Sequence, residues 1–566
     1  MDTPDSIEIK ADRKDLTTPK IQEVEKVNDV GDGVEQVAES EESRSEDQYP
    51  NFPTLVLTTV ALMVAVFLVA LDVHILATAT PKITTEFDSL LDLTWYGGSY
   101  LLTQIALQPT YGRLYQVFPI KYLFVTATII LEIGSIIAAK APTSKVLIVG
   151  RAVQGSGAGG ILAGGLLMIN YLISKPKRPI YLSIIATMYA VAAVVGPVLG
   201  GVFAESRVTW RFCFWMNLPI GFVACAMICY AFTEPKRAST EQPLKKKLMS
   251  LDPFGASILI AWVTCLLLAL QRASIPQPWS SAGIWGPLLA FGILLCIFII
   301  LQYYQKDSAI VPFRILSQRT IAASCIFEVT IFMATTTLVY YLPFYFQSVK
   351  GFSPHQSGIY ILPFVVTNSV FAFAGGFVIS QSGIYVPFMW GGAAVMAVGC
   401  SLIYTLDINS TDAPIVGYQL IASIGYGLCV QVPFTAVQVL QEKDIPIGNG
   451  LMAFFQGLGG ALAVSAAQTI FSNTLHKHLE EIPDINADVI ISFGAANFVS
   501  KVPGDVVHAV QAAYGAATRE AFILPIIGAG LAFVSSLGME WRRHFVPEKK
   551  ENMRPGETRR EVVSAR

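Results

Sequence analysis

The residues of this chain that could do chemistry are charged and amide side chains set inside long apolar runs. Asp72 lies about two-thirds of the way along one such run, and Arg151 lies early in another. An arginine at the centre of a hydrocarbon layer costs roughly 2.5–3.5 kcal/mol on insertion scales. A carboxylate at matching depth on a second helix offsets much of that cost. A pair whose contact depends on protonation would couple protons to movement; the alternative is a static pair that only fixes helix packing. Gln154 follows Arg151 by three residues, so a helix puts both on one face. It either contacts a substrate or satisfies the arginine. His74, two residues from Asp72, points away from it and is placed as a cavity-lining or packing residue. Glu132 and Glu328 stand inside two further runs, each a candidate second titrating site. For Glu132 the preferred reading is a neutral acid bonded to a neighbouring helix.

The elements that must position these groups are glycine-marked helices. Arg151 opens RAVQGSGAGG, in which Gly155 and Gly159 form a small-xxx-small face and Gly157, Gly160, Gly164 and Gly165 extend it. Such a helix is weak by intrinsic propensity and makes sense where a neighbour approaches closely. A later run ends in Gly196-Pro197-Val198-Leu199-Gly200-Gly201. Proline there kinks the helix, and the glycines allow tight contact, which suits a half that rocks against its partner.

Of 566 residues, 53% are hydrophobic and only 14% charged. Apolar runs fill the chain from about residue 54 to 541 and read as fourteen spans, each near or above the 20 residues a crossing helix needs. They cover roughly 54–80, 93–116, 120–140, 145–172, 179–203, 211–233, 251–271, 284–304, 320–347, 355–380, 384–406, 413–441, 447–473 and 519–541. The expected fold is an all-α membrane protein of 14 transmembrane helices. Residues 1–50 hold 15 Asp/Glu against 6 Lys/Arg and read as a disordered acidic tail without a signal peptide. Segments 54–233 and 320–541 read as two six-helix bundles, joined by a basic linker at 234–250 and a two-helix insert at 251–304. A long outer loop is expected at 474–518, and a second tail at 542–566. Lysine and arginine gather after even-numbered spans, most densely at Lys245, Lys246 and Lys247, which places both termini in the cytoplasm. Asn409-Ser410-Thr411 is then a glycosylation sequon in an outer loop. None of the eight cysteines has metal-site spacing with histidine, and no phosphate-binding GxxxxGK[ST] run occurs. A metal, a cofactor, a nucleic-acid partner and an enzymatic role are therefore not expected. The partners expected are the bilayer, protons and a small molecule, with the chain acting as a monomer.

Together the motifs resemble the major facilitator superfamily and, within it, the fourteen-span drug:proton antiporters of the fungal multidrug and mycotoxin efflux branch. The resemblance rests on LDVHILATATP from Leu71, GRLY from Gly112 with Arg113, RAVQGSGAGG, GPVLGG, WRFCFWMNLPIG from Trp210, and YYLPFYFQSVKGFSPHQSGIYILP from Tyr340. It implies the major facilitator fold, with Asp72, Arg151 and Glu328 tied to proton coupling. It also implies a substrate path lined by spans 1, 2, 4, 5, 9, 10, 12 and 13. Gln431, Gln438 and Gln456 become candidate substrate contacts, the alternative being helix–helix hydrogen bonding, and Tyr341 and Tyr345 supply aromatic surface near the cavity, the alternative being an aromatic belt or packing. The implied activity is proton-driven export of a small, largely apolar toxin, secondary metabolite or drug across the plasma membrane. A carrier of a defined metabolite such as an amino acid or siderophore, in a plasma or vacuolar membrane, is the alternative, and a transporter-like sensor a remote one. The chain departs from the family pattern at Gln116, where an acidic residue is usual, and at Pro119, His74 and Ala192. The gating latch that the acid makes elsewhere is therefore in question.

Overall fold

The structure is a computed structural model. It describes residues 50–541 apart from 88–91, most of 236–250, 274–280 and most of 484–505. The acidic tail, most of the basic linker and the C-terminal tail lie outside the described residues. Among the described residues, thirteen helices are long and apolar enough to cross a membrane. A further helix, Leu93–Val117, is less apolar but has 25 residues, about 37 Å at the usual rise per residue. A backbone in hydrocarbon must satisfy its own hydrogen bonds, so apolar runs of this length become helices.

The first bundle holds α1 (Phe52–His74), α2 (Leu93–Val117), α3 (Ile120–Ala139), α4 (Ser144–Leu172), α5 (Arg178–Glu205) and α6 (Asn217–Ala231). The insert is α7 (Pro253–Ala273) and α8 (Ala282–Gln305). The second bundle holds α9 (Arg319–Phe344), α10 (Pro354–Ser382), α11 (Val386–Tyr404), α12 (Asp412–Cys429), α13 (Ile445–Glu480) and α14 (Ile523–Ser536). A short helix, Leu76–Phe87, continues α1 past Ile75, and another, Val507–Ala521, leads into α14. The connection expected over 474–518 is correspondingly shorter, because α13 runs on to Glu480 and helix resumes at Val507. Within it Ala487 and Ile490 are buried against the second bundle.

The two bundles repeat one packing scheme. In the first, α1 packs on α5 and α6, α4 on α2 and α3, and α3 on α6. In the second, α9 packs on α13 and α14, α12 on α10 and α11, and α11 on α14. The bundles meet along two seams, α2 against α13 and α5 against α10, and α7 of the insert lies on the first of these.

The seams are tight at one end. A Cβ on Gly112 would lie 2.8 Å from the Pro446 carbonyl oxygen, one on Gly450 2.9 Å from the Gln108 oxygen, and one on Gly376 2.7 Å from the Pro179 oxygen. At the opposite ends of the same helices, a Cβ on Gly97, Gly98, Gly201 or Gly358 would meet nothing within 4 Å. The bundles thus touch closely at the Arg113 end.

Hydrogen bonds fasten the closed end. Gln116 Nε2 donates to the Lys443 carbonyl across the seam at 2.9 Å, and Arg113 donates to Gln116 Oε1. The amide therefore makes a bridge at the position where the family usually carries an acid. Arg178 donates to Gln438 Oε1 and to the Asn170 carbonyl, while Gln438 Nε2 donates to Asn170 Oδ1 at 2.8 Å. Ser183 Oγ donates to the Ala372 carbonyl at 2.9 Å. Gln438, read from the sequence as either a substrate contact or a helix–helix hydrogen bonder, makes the second kind of contact here, in this bridge between the bundles. Replacing Gln438 with leucine leaves buried partners unpaired, at about 1–3 kcal/mol. Backbone hydrogen exchange over 432–440 is expected to rise, whereas an unchanged exchange rate would remove Gln438 from the latch.

Candidate functional site

Asp72 sits two residues before the end of α1, and Arg151 two turns into α4; both are buried. The reason they can meet is the glycine face of α4. A Cβ on Gly155 would fall 2.0 Å from the Tyr100 carbonyl oxygen of α2, and one on Gly157 2.4 Å from the Ala127 oxygen of α3. The small residues serve two neighbours on opposite sides, so α4 lies wedged between α2 and α3 with Arg151 held above the crossing.

Arg151 and Asp72 approach to 3.9 Å, Nη1 to Oδ1, but do not share a hydrogen bond between their charged groups. The guanidinium instead donates from Nε to the Tyr96 carbonyl at 2.9 Å, from Nη2 to the Asp72 backbone carbonyl at 3.1 Å, and from Nη1 to Gln154 Oε1 at 2.8 Å. It also lies 4.3 Å over the Tyr100 ring. The carboxylate accepts from two amides: Asn217 Nδ2 to Oδ1 at 2.7 Å and Gln154 Nε2 to Oδ2 at 3.2 Å. Ser135 Oγ accepts from both amides, at 2.8 Å from Gln154 and 3.2 Å from Asn217. Gln154 therefore bridges the two charges, accepting from one and donating to the other. Of its two sequence readings, it is the one that satisfies the arginine.

Asn217, Ser135, Tyr96 and Tyr100 were not singled out as site residues by sequence reasoning. Asn217 did carry a signal, since it lies inside WRFCFWMNLPIG. The structure gives that segment two jobs. Asn217 grips Asp72, and six to seven residues earlier Trp210 and Arg211 clamp Glu86 on the continuation of α1. Trp210 Nε1 donates to Glu86 Oε2 at 2.6 Å, and Arg211 Nη1 donates to Oε1 at 2.6 Å. Partial burial alone would push the Glu86 carboxyl up, but the Trp210 and Arg211 bonds outweigh it and hold it below its ordinary value. A group with a lowered folded-state value contributes stability that is present above its unfolded value and lost as pH falls through the folded one. Acidification below the ordinary glutamate range is therefore expected to loosen Leu76–Phe87, seen as faster proteolysis there. Glu86→Gln should remove that acid step.

The remaining sequence-chosen residues scatter. Glu328 on α9 is fully buried in the second bundle, and neither of its oxygens has a hydrogen-bond partner among the described residues. Gln456 of α13 comes beside it without closing a well-aligned bond. Tyr341 and Tyr345 are both buried among the second bundle's own side chains, as the packing alternative for these rings has it. Tyr341 packs 5.5 Å from Phe344 and 5.4 Å from Phe471 and donates to Gln468 Oε1; Tyr345 donates to the Asp407 carbonyl at 2.7 Å. Aromatic rings at this end fill a core because α13 and Val507–Ala521 cover them. Tyr340, their neighbour, is 45% exposed. Gln431 is half-buried at the start of the short Val432–Ala436 helix. His74 is half-buried where α5 crosses α1, and a Cβ on Gly196 would strike its Cβ at 2.8 Å. That contact explains Gly196; Gly200 is buried and Gly201 faces open space, with Pro197 inside the helix. Glu132 is not bonded to a neighbouring helix as expected: its two oxygens are buried without a hydrogen-bond partner among the described residues.

Residues 62–464 match the family model described as Major Facilitator Superfamily. The chain is 40% identical over 530 residues to an MFS-type transporter, ltbE, of Aspergillus luteorubrus, covering 93% of this chain and 97% of that one. It is 38% identical to the efflux pump aflT of Aspergillus parasiticus, covering 86% and 96%. It is 39% identical to an aspyridones efflux protein of Neocamarosporium betae, covering 86% and 87%. Among solved structures it resembles the proton:xylose symporter XylE, with TM-score 0.55 and 13% identity, covering 87% of this chain and 99% of that one. The human organic anion transporter MFSD10 gives a TM-score of 0.53 at 13% identity, covering 84% and 99%. These two likenesses concern the fold alone.

Proposed function

The chain belongs to the Major Facilitator Superfamily, and from that premise we propose that it exports small, largely apolar organic compounds in exchange for protons. The efflux pumps among its relatives support the direction and the substrate class. The observation that carries proton coupling is the Asp72 cluster. A buried carboxylate held by two neutral amides, with a cation 3.9 Å away and bridged through Gln154, can take a proton without losing its hydrogen-bonded frame. Protonation leaves the arginine's charge in place and breaks the balance of the pair, which is what a conformational change can respond to. Neither a bound cofactor nor a metal enters this reading; the gradient is the energy source. Glu328 is the second proton-coupling group, in the other bundle, with Gln456 beside it.

We place the Arg113 end and both termini in the cytoplasm, which the Lys/Arg-rich loops support, and on that reading the closed seam corresponds to an outward-facing state. The plasma membrane is the membrane we assign, with the chain working as a monomer. Asn409 is exposed in the α11–α12 turn and then stands outside, where glycan addition would be read as a mass shift lost on Asn409→Gln. The deciding experiment uses inside-out vesicles. With an acidic lumen they should accumulate a labelled lipophilic dye, and a protonophore should abolish the uptake. Uptake indifferent to the gradient would overturn the coupling.

A further inference from the structure

Glu132, half-buried with both carboxyl oxygens out of reach of solvent, is an acid that the site described above leaves unused. It projects from α3 onto α6, where its Oε1 occupies the place a Cβ on Gly221 would take: the two positions are 1.9 Å apart. Only a glycine at 221 admits the carboxyl there. One helical turn along the same two helices, Asn217 of α6 holds Asp72 and bonds Ser135 of α3. Both Glu132 oxygens and, one turn away, Asn217 Oδ1 have no hydrogen-bond partner among the described residues. Asp72 is close enough for its charge to act on Glu132.

The charges can be counted. Arg151 supplies one positive charge, and the two carboxyls can supply two negative ones. The other groups that face Glu132 from packed elements are neutral in kind: the Cys225 thiol one turn further along α6 and the Thr128 hydroxyl on α3. Cys213, just before α6, lies on the Asp72 side. One arginine balances one carboxylate, and a second bare carboxylate at this depth would stand uncompensated.

We propose that Glu132 and Asp72 share a single proton, so that the Arg151–Asp72–Glu132 group stays electrically neutral while the proton moves between the two carboxyls. In the state described here Glu132 holds it and Asp72 is the carboxylate beside Arg151. In the step, the Glu132 O–H breaks and an O–H forms on Asp72, with a water at Asn217 Oδ1 as carrier. Glu132 is left as the carboxylate, and the net charge does not change. Gly221 is the positioning residue that lets the acid reach this place. The inference deepens the proton-coupled reading and rests on it for its role in transport.

The test reads the proton itself. Infrared spectra of the purified chain report protonated carboxyls by their C=O stretch. Wild type minus Glu132→Gln should show one acid band near neutral pH. In Asp72→Asn, where Arg151 has lost its counter-charge, the Glu132 band should vanish, because Glu132 then ionises to balance the arginine. A Glu132 band that persists in Asp72→Asn makes it an independent structural acid and overturns the sharing. Absence of any Glu132 band in wild type overturns it as well. If Glu132→Gln does not fold, Glu132→Asp takes its place and should shift the band rather than remove it. Gradient-driven uptake by Glu132→Gln vesicles should fall about tenfold or more, the scale of an acid–base group lost from a proton step. Should wild type carry substrate without a gradient, the coupling reading fails while the infrared result still decides the sharing.

Discussion

Asp72→Asn is expected to abolish gradient-driven export while leaving a folded protein that still exchanges labelled for unlabelled substrate. The asparagine carbonyl can keep the 2.7 Å bond from Asn217, and the bond given up is the longer one from Gln154 at 3.2 Å, so most of the frame of amides survives. What is lost is the site that takes a proton. Export should drop by about a hundredfold or more, as when an essential acid–base group is removed. Arg151→Ala should do something different. It strips the cation from a fully buried carboxylate and frees the Tyr96 carbonyl and Gln154 Oε1 that the guanidinium now caps. Breaking a buried pair from one side costs about 3–5 kcal/mol, so thermal stability and the amount of protein should fall along with export. Arg151→Lys should not rescue it, because an ammonium cannot reproduce the fork that reaches three acceptors at once. Normal export by Asp72→Asn would make the cluster a structural pin.

The second large effect concerns the α4 glycines. Gly155→Ala puts a methyl 2.0 Å from the Tyr100 carbonyl and 2.4 Å from Thr103 Oγ1. Backbone cannot give way as a side-chain end can, so α2 must move off α4. Overpacking of this kind costs about 1–3 kcal/mol, or more when backbone is struck. The displacement also disturbs Arg151, whose cradle is the Tyr96 carbonyl and the Tyr100 ring of α2. Lower melting temperature and lost export are therefore expected together. Gly165→Ala is the control, since its nearest neighbour is a Leu62 methyl at 3.9 Å. Equal behaviour of the two variants would refute the close-approach account.

Hydropathy determined which apolar runs become helices and most of their limits to within a few residues, although the span read to 441 ends as a continuous helix at Cys429. The physical reason is local: in hydrocarbon a run of about 20 apolar residues has one way to satisfy its backbone. The break at Ile75 and the extension of α13 to Glu480 escaped because they depend on what packs beside them. The same local logic found Asp72 and Arg151, since a charge in an apolar run needs a partner, and put Gln154 on the arginine's face through the i,i+3 spacing. It could not say that Gln154 bridges the two charges. Nor could it find Asn217, which lies 145 residues from the carboxylate it holds. An asparagine among apolar residues looks the same whether it faces lipid, substrate or an ion. Which neighbour it meets depends on how α6 is rotated against α1 and α3. Gln438, Tyr341 and Tyr345 stayed open to two readings for the same reason. Polar and aromatic side chains suit a substrate path and an interface between bundles equally well, and only the packing of distant helices decides between them. Residue type and spacing determined that a buried charge had to be matched. The tertiary structure decided through which amides it is held, and placed Glu132 one turn away on Gly221.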